Sequence, residues 1–466
     1  MTTDLVHLAA TELIALYRNK KASPVEAASA ALAQIARHED LNCFCLVDEE
    51  AALAAARAAE KRWHEGAPAG RVDGVPTTIK DLAITRGWPT LRGSKTTDQA
   101  GPWDEDAPFV ASLRDEGAVL LGKTTTPEFG WKGVTDSPLS GITRNPWNKE
   151  RTPGGSSGGA AAACASYMAP LHQGSDAGGS VRIPSAFCGV FGLKPTYGII
   201  PNYPLPAHIG PLANTGAIAR TVDDAALMLT VMAARADPRD ATTAPVQGMD
   251  FTNGINDGIK GLKIAFSPSF GGSVSVDASV AAATAKAAEI LASLGAHVEE
   301  ADPPLAEARA IFDVLWEPAM TWVIGQMPPE KRAQMDPGLV KLAKLGEHYS
   351  ARDLVDAQAA MRAMAVAMSR FHETYDLLIT PQVPLEAFAA GIDTPLEKDG
   401  SWLDWSPFTY PFNMTMQPAA AVPIGLGANG LPVSLQIVGR RFEDGLVLRA
   451  AKAYEDMHPF LMPDGY

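Results

Sequence analysis

The sequence has few cysteines and no histidine pattern of the kind that holds a metal ion. Four of its 466 residues are cysteine and nine are histidine. The cysteines lie in apolar or alanine-rich surroundings, which is typical of small core residues and not of a disulfide framework. They are Cys43, Cys45, Cys164 and Cys188. The histidines form neither an HExxH motif nor a close HxH pair, so we expect no catalytic metal and no cofactor.

The sequence also lacks an excess of positive charge and any long apolar run. Its 39 Lys and Arg residues against 53 Asp and Glu residues give a net charge of −14, which argues against binding to nucleic acid or anionic membranes. No apolar run reaches the ~18 residues that a membrane span needs. The first 20 residues do not resemble a signal peptide, because Asp4, His7 and Glu12 interrupt their apolar residues. We therefore expect a cytoplasmic protein with no nucleic-acid or membrane partner.

Short apolar segments alternate with helical patterns along most of the chain. Strands are predicted at 43–47, 118–122 and 262–266, and helices at 24–37, after Thr221 and near 278–294. The first of these helices opens with a capping box, Ser23-Pro24-Val25-Glu26. Residues 1–65 are mainly helical in pattern, and a segment rich in Pro, Gly and Asp at 237–261 separates the two halves. This alternation predicts an α/β protein.

Two serines flanked by glycine lie in the stretch from Thr152 to Ser185, at Ser156 and Ser180. Upstream, an apolar strand-like run at 75–82 carries one lysine, Lys80. A serine hydroxyl is a poor nucleophile at neutral pH, so it needs a neighbouring base and a site for the developing oxyanion. Glycine on both sides lets the backbone bend sharply and expose the N–H groups that such a site requires. We interpret these residues as a proton relay that uses no histidine.

Three other readings of the glycine-rich segment fit less well. Residues 154–158 match G-x-S-x-G, but that nucleophile elbow follows a strand, whereas 148–153 is polar and ends in proline. A phosphate-binding loop would need Gly-Lys-Ser/Thr after the glycines. A flexible linker is the ordinary reading of such a composition, yet an alanine-rich helical run follows at once. The glycines are therefore predicted to open a helix.

Seven blocks of sequence, in the same order, resemble the amidase signature family. They are GVPTTIKDL at 74–82, TRNPWN at 143–148, PGGSSGGAAAA at 153–163, GSDAGGSVRIPSAFCGVFGLKPTYG at 174–198, ARTVDDAALML at 219–229, FNMTMQPAAAVPIG at 412–425 and GLPVSLQIVG at 430–439. Members of this family are serine hydrolases that cleave carboxylic amides with a Ser–Ser–Lys triad, and the resemblance is to the stand-alone type. It implies a single domain, 1–466, built on one large mixed sheet with helices on both faces. Within it, 66–236 would hold the catalytic core, and 304–412 would be the variable segment that shapes the substrate pocket.

The resemblance also implies a role for each residue that matches a family motif. Ser180 would be the nucleophile, Ser156 the bridging serine after a cis Gly155–Ser156 peptide bond, and Lys80 the base. The oxyanion hole would consist of the N–H groups of Ala177, Gly178, Gly179 and Ser180. Asp176 and Arg182 would brace the nucleophile loop.

Lys80 can act as a base only in its neutral form, and the ordinary lysine pKa is about 10.4. A base that works near pH 7–8 requires that pKa to fall by about 2–3 units, and burial beneath Val75 and Ile79 is expected to lower it by desolvation. Asp81 would oppose the change, because a neighbouring carboxylate favours charged lysine. If the segment is a strand, however, the side chains of Lys80 and Asp81 point to opposite faces.

Aromatic residues are frequent in the variable segment and next to the signature blocks. Trp316, Trp322, Trp402, Trp405, Phe408, Tyr410 and Phe412 lie in or beside 304–412, and Phe129 and Trp131 precede TRNPWN. Aromatic residues at helical spacing are usually core, but their number here indicates an apolar or aryl amide substrate. We predict that the pocket is lined by Phe129, Trp131, Trp316, Trp405 and Met416. Met416 stands where many relatives have glycine, and it would narrow the pocket.

Other functions remain open on the sequence alone. The glutaminase subunit of a tRNA-dependent amidotransferase has similar motifs, but this chain differs at AGGSVRIP, 177–184, and at PAHIGPLANTGAIAR, 206–220. A ureide hydrolase acting on allophanate or biuret fits poorly with the aromatic segment. A non-enzymatic scaffold would need a broken triad, whereas Lys80, Ser156 and Ser180 are all present. The identity of the amide, any esterase activity and a homodimeric assembly are left open.

Overall fold

The computed structural model describes residues 5–204, 209–244, 248–396 and 400–466. The strands in these ranges are β1 (Phe44–Val47), β2 (Pro76–Lys80), β3 (Val119–Thr124), β4 (Asp136–Ser137), β5 (Gly141–Ile142), β6 (Leu171–Asp176), β7 (Phe191–Lys194), β8 (Asn214–Ala219), β9 (Lys263–Phe266), β10 (His297–Glu300), β11 (Leu377–Pro381), β12 (Ala419–Leu426) and β13 (Pro432–Gly439). The helices are α1 (Ala10–Arg18), α2 (Pro24–Arg37), α3 (Glu49–Glu65), α4 (Pro108–Asp115), α5 (Gly158–Ala165), α6 (Arg182–Cys188), α7 (Val222–Met232), α8 (Ala278–Ser293), α9 (Ala308–Gly325), α10 (Pro329–Arg332), α11 (Pro337–Gly346), α12 (Ala351–Phe371), α13 (Pro411–Met414) and α14 (Asp444–Met457). None of the helices in these ranges is both long and apolar enough to cross a membrane.

Eleven strands form one mixed sheet, in the order β1-β3-β2-β6-β8-β7-β12-β13-β11-β9-β10. Parallel pairs link β3, β2 and β6 at one end and β11, β9 and β10 at the other. The pairs between β6 and β11 are antiparallel. The sheet therefore contains strands from both halves of the chain, and the predicted α/β class with a large mixed sheet is confirmed.

Helices cover both faces of the sheet, as alternate residues of single strands show. Leu120 of β3 packs into an apolar cluster with α4, α7 and α14, whereas Val119 and Leu121 pack with α2, α3 and α5. Towards the other end, Leu378 of β11 and Val438 of β13 contact the cluster that contains α9, α11 and α12. The inner strands β2, β3, β7, β11 and β13 are buried along their whole length, whereas the edge strands β1 and β10 are partly exposed.

Local sequence signals locate several elements correctly. Ser23 Oγ accepts the N–H of Glu26 at 3.2 Å, and the Glu26 carboxylate accepts the N–H of Ser23 at 2.8 Å, so the predicted capping box opens α2.

The strand predicted at 118–122 instead continues to Thr124. The strand therefore begins one residue later and ends two residues later than predicted, and it includes the charged Lys123. In the structure Lys123 is buried and pairs with Asp81 at 3.5 Å.

The pairing of β2 with β6 positions the candidate site. These two strands are adjacent and parallel, so their carboxyl ends, at Lys80 and Asp176, lie at the same edge of the sheet. Ser180 follows in the connection from β6 to α6, and Ser156 lies in the loop that leads into α5. Crevices at the carboxyl ends of parallel strands are common ligand sites in α/β proteins.

Candidate active site

The amine of Lys80 contacts three serine hydroxyls. Its Nζ lies 2.7 Å from Ser156 Oγ, 2.8 Å from Ser157 Oγ and 3.0 Å from Ser175 Oγ. Ser156 is the partner that the sequence predicts, whereas Ser157 and Ser175 are not among the predicted residues. Both adjoin predicted residues, since Ser157 is the second serine of GGSSGG and Ser175 precedes Asp176. The contact of Ser175 with Lys80 could have been anticipated only from the pairing of β2 with β6.

Lys80 is completely buried, and burial lowers its pKa well below the usual 10.5, although the charge of Asp176 raises it in part. The neighbouring Asp81 is directed away from this amine. Its carboxylate lies 3.5 Å from Lys123 Nζ and accepts the N–H groups of Leu91 and Gly93, each at 3.1 Å. The side chains of Lys80 and Asp81 thus point in different directions, as expected, and the Asp81 carboxylate is separated from the Lys80 amine.

The segment containing Ser156 runs tightly against its neighbours and then opens α5. A Cβ atom on Gly155 would lie only 2.4 Å from the carbonyl oxygen of Val134, so only glycine fits there. The Gly155–Ser156 peptide bond is cis, as the resemblance implied. Helix α5 begins two residues later, at Gly158. The glycines therefore open a helix, and the linker reading is wrong.

A buried ion pair fixes the loop that carries Ser180. The Asp176 carboxylate accepts two hydrogen bonds from the Arg182 guanidinium, both at 3.0 Å, and both side chains are fully buried. Arg182 also donates to the Thr409 carbonyl at 2.9 Å, to Asn413 Oδ1 at 2.7 Å and to Gln436 Oε1 at 2.7 Å. Burial alone would raise the pKa of Asp176, but Arg182 lowers it below its ordinary range. Asp176 and Arg182 thus contact each other and the C-terminal part of the chain.

The N–H groups of the loop 177–180, which carries Ser180, fall into two sets. The N–H of Gly179 donates to Asp176 Oδ1 at 2.7 Å, so it is engaged within the loop, unlike the free donor that we expected. Within the described residues, the N–H groups of Ala177, Gly178 and Ser180 have no acceptor. Gly179 has φ +127°, a conformation that side-chain-bearing residues rarely adopt. That conformation turns its N–H towards the buried carboxylate.

A cavity of about 460 Å³ opens over Ser156 and Ser180. Ser180 is 7% exposed and Ser156 is 2% exposed. The wall of the cavity is mainly apolar. It includes Phe129 and Trp316, as predicted, together with the half-exposed Trp322. A site of this size and composition is typical of pockets for small organic ligands.

Trp131, Trp405 and Met416 do not line this cavity, in contrast to the prediction. The Trp131 indole N–H donates to Asp336 Oδ2 at 3.3 Å, and that of Trp405 donates to the Asp393 carbonyl at 3.1 Å. Both rings are buried in the packed layer that contains α9, α11 and α12. Met416 is also packed against this layer, with φ +60°. A left-handed backbone favours glycine, so the glycine that the resemblance implies at this position would fit the local backbone conformation and has no bearing on the width of the cavity.

Other parts of the cavity wall come from segments that the sequence does not single out. They are Leu82, Ala83, Ile84 and Arg92 after β2, Phe109 of α4, Asn202, Tyr203 and Pro204, and Ala213, Asn214 and Thr215 around the start of β8. No local motif marks these residues, because they meet only through the order of the strands. Residues 206–208 of the unusual stretch at 206–220 lie outside the described part of the chain.

Comparison with known proteins identifies a family model, two relatives and a solved structure that resemble this chain over almost its whole length. A family model described as Amidase matches residues 26–448. An acylamidase from Rhodococcus erythropolis is 38% identical over 472 residues, covering 99% of this chain and 98% of the relative. A glutamyl-tRNA(Gln) amidotransferase component from Chloroflexus aurantiacus is 35% identical over 488 residues, covering 97% of each chain. The crystal structure of a bacterial aryl acylamidase of the amidase signature family has a TM-score of 0.90 and 31% identity, covering 97% of this chain and 96% of that chain.

The fold, the match to the family model and these relatives lead to one assignment. The identities extend over nearly the whole chain, so they include both the serine-rich loops and the sheet that holds them. The chain belongs to the amidase signature family and is an amidohydrolase that cleaves carboxylic acid amides.

Proposed function

We propose that this enzyme acts alone on apolar or aryl amides, with Lys80 as the base, Ser156 as the relay and Ser180 as the nucleophile. The observation that carries the proposal is the 2.7 Å contact between the buried amine of Lys80 and Ser156 Oγ, at the floor of a cavity that also exposes Ser180. A buried amine with a lowered pKa is neutral in a larger fraction of molecules, so it can accept a proton.

The hydrogen bonds around Lys80 support a defined direction for the proton. Ser157 Oγ donates its own proton to the Ser175 carbonyl at 3.2 Å, so at Lys80 it accepts. A neutral amine has two N–H bonds and one lone pair. We propose that Lys80 gives one N–H to Ser157 and the other to Ser175 Oγ, which leaves its lone pair for the hydroxyl proton of Ser156. Lys80 is thus prepared to receive a proton from Ser156.

The reaction then follows in two balanced halves. Ser180 Oγ attacks the amide carbonyl carbon while its proton passes to Ser156, whose own proton passes to Lys80. The tetrahedral oxyanion is bound by the free N–H groups of Ala177, Gly178 and Ser180, while Gly179 holds the loop to Asp176. The proton returns along the relay to the nitrogen, the C–N bond breaks, and the amine leaves an acyl group on Ser180. Water then attacks the acyl carbonyl carbon and gives its proton to the relay, the ester bond to Ser180 breaks, the relay returns the proton to Ser180 Oγ, and the carboxylate leaves.

The cavity wall supports the substrate class. Phe129, Trp316 and Trp322 supply aromatic surface next to the proposed reaction centre, and aromatic side chains pack favourably against aryl rings. The similarity to an acylamidase and to an aryl acylamidase points in the same direction. A glutaminase would also need an acidic group to hold the substrate's ammonium, and the one carboxylate among the described lining residues, Asp176, is already paired with Arg182.

The proposal includes a cytoplasmic location and no nucleic-acid or membrane partner. The net charge of −14 supports this, as do the four cysteines, which are all free thiols. Each chain carries Lys80, Ser156 and Ser180 itself, so a homodimer would contain two independent sites.

The test is amine or ammonia release from a panel of aliphatic, aryl and amino-acid amides and glutamine, with no partner protein present. Wild type is compared with Ser180→Ala and with Ser166→Ala, which removes a buried hydroxyl bonded to the Ala162 carbonyl. We expect turnover of aryl amides, a loss of at least ~10³-fold in Ser180→Ala, and near wild-type rates in Ser166→Ala. Turnover of glutamine alone, or activity that survives in Ser180→Ala, would contradict the proposal.

A further inference from the structure

Arg92 places a cation in the wall of the substrate cavity. Of the described lining residues, only Arg92 and Asp176 carry charged side chains. The Asp176 carboxylate is already bonded to Arg182 and to the Asn413 amide. Within the described part of the chain, no carboxylate lies within ion-pairing distance of the Arg92 guanidinium, and no hydrogen bond from that group is found. Among the described residues, the cavity wall therefore carries one positive charge without a counter-ion.

The backbone holds Arg92 rigidly at this position. Its N–H donates to the Asp81 carbonyl at 3.1 Å, and its carbonyl accepts the N–H of Phe129 at 2.8 Å. The N–H groups of Leu91 and Gly93 on either side are bonded to the Asp81 carboxylate. Arg92 itself has φ +58°, a left-handed conformation that is uncommon for residues other than glycine. Asp81, the residue that follows Lys80, thereby holds the loop that contains Arg92.

Asp81 is the acidic group whose charge acts on Arg92, but it cannot neutralise the guanidinium directly. Its carboxylate pairs with Lys123 Nζ at 3.5 Å and accepts the N–H groups of Leu91 and Gly93. A half-buried cation in a mainly apolar cavity loses part of its hydration, which is unfavourable unless a partner replaces the water. An anionic group on a bound ligand would be such a partner.

We propose that Arg92 binds a carboxylate of the substrate, so that the preferred substrates are amides that also carry a free carboxylate apart from the scissile bond. N-acyl amino acids, carboxylated anilides and monoamides of dicarboxylic acids belong to this class. The inference rests on the proposed function, because it concerns the cavity above Ser156 and Ser180. A planar guanidinium matches the two oxygens of a carboxylate. A single cation balances one negative charge, whereas a phosphate dianion would leave one charge uncompensated among apolar side chains.

The experiment compares two pairs of anilides, each a carboxylate and its methyl-ketone isostere. The first pair is succinanilic acid and 4-oxopentananilide, in which the carboxylate or ketone is on the acyl part. The second pair is 4-acetamidobenzoate and 4-acetamidoacetophenone, in which it is on the amine part. The readout is the ratio of kcat/KM for the charged member to kcat/KM for the neutral member, from aromatic amine release. A ratio within each variant removes effects that act on both substrates alike.

In wild type we expect the charged member of at least one pair to be preferred by about 10- to 100-fold, the usual range for a charge-assisted hydrogen bond. Arg92→Gln should lower the ratio in that pair about 10- to 100-fold, and Arg92→Lys should recover part of it. Arg86→Gln is the matched control, because it removes the same charge from the same loop. Arg86 is 66% exposed and 3.8 Å from Asp106, so its loss should leave the ratio unchanged.

Two results would overturn the inference and leave the proposed function standing. One is equal turnover of both members in both pairs, and the other is a preference for the charged member that persists in Arg92→Gln. If no anilide is turned over, the proposed function fails. The inference is then decided by binding alone, from calorimetry of succinanilic acid and 4-acetamidobenzoate with Ser180→Ala. We expect at least 10-fold weaker binding when Arg92→Gln is added, and equal binding would overturn the inference.

Discussion

Asp176 is the carboxylate whose charge acts on the amine of Lys80, across the parallel pair of β6 and β2. It favours the charged form of the amine, whereas burial favours the neutral form and has the larger effect. Asp176 is in turn neutralised by Arg182, which contacts it at 3.0 Å. The ion pair therefore has two effects: it holds the loop that carries Ser180, and it limits the effect of the Asp176 charge on the pKa of Lys80.

The pH dependence of catalysis follows from the sign of the Lys80 shift. Its pKa is lowered, so the amine becomes neutral, and active, at a pH well below the usual 10.5. We expect kcat/KM for an anilide to fall as the pH drops through this lowered pKa and to reach a plateau above it. Lys80→Arg should lose at least ~10³-fold at every pH, because a guanidinium stays protonated. A profile without an acid limb, or substantial activity in Lys80→Arg, would rule out Lys80 as the base.

Ser157 is expected to be a positioning residue for Lys80. Ser157→Ala removes an acceptor at 2.8 Å from the amine, so the lone pair of Lys80 is no longer fixed towards Ser156. We expect kcat to fall about 10- to 100-fold with little change in KM, because the substrate does not contact this hydroxyl. Hydrogen bonds to acceptors stabilise the charged amine most, so the acid limb of the pH profile should also move to lower pH. An unchanged acid limb would indicate a purely structural role.

Loss of Arg182 should destabilise the whole protein. Arg182→Met leaves the Asp176 charge buried without its partner, which typically costs about 3–5 kcal/mol. Urea unfolding would measure this change in the free energy of unfolding. The double variant Asp176→Asn/Arg182→Met should be less destabilised than Arg182→Met alone, because no buried charge is left unpaired. A double variant that is less stable than the single one would show that the pair contributes mainly through its other hydrogen bonds.

Two tryptophans that look alike in the sequence should behave differently. Trp316 lines the cavity, so Trp316→Ala should lower kcat/KM for aryl amides relative to acetamide by about 10-fold, in line with one aromatic contact. Trp405 stacks on Phe187 with ring centroids 5.9 Å apart outside the cavity. Trp405→Ala should therefore lower the free energy of unfolding by about 3–5 kcal/mol and leave the ratio of the two substrates unchanged. The reverse pattern would show that the cavity is not the acyl or amine pocket.

The difference between these tryptophans also shows what can be predicted from sequence. The glycine-flanked serines and the strand carrying Lys80 are local patterns, so the sequence alone is enough to locate Lys80, Ser156 and Ser180. Whether an aromatic ring faces a cavity or the layer behind it depends on how distant helices pack, and the sequence contains no local sign of it. The prediction assigns Trp131 to the pocket for this reason, yet its ring packs with α11 and bonds to Asp336.

Buried charge is the second source of error, because charged residues are expected at the surface. The predicted strand 118–122 stops just before Lys123. In the structure Lys123 lies inside β3 and pairs with Asp81. Arg92 escapes prediction for the same reason, and its position in the cavity wall follows from a loop held by Asp81. Both residues depend on one carboxylate adjacent to the proposed base. Only the three-dimensional arrangement connects them.

The hydrogen bonds from Arg182 to Thr409, Asn413 and Gln436 have a consequence for the life of the protein in the cell. Lys80, Ser156 and Ser180 all leave the ribosome long before those three residues are synthesised. Until then, the loop that carries Ser180 lacks the contacts that hold its ion pair in place. We therefore expect the nascent chain to be catalytically silent, so that hydrolysis begins only when translation is nearly complete.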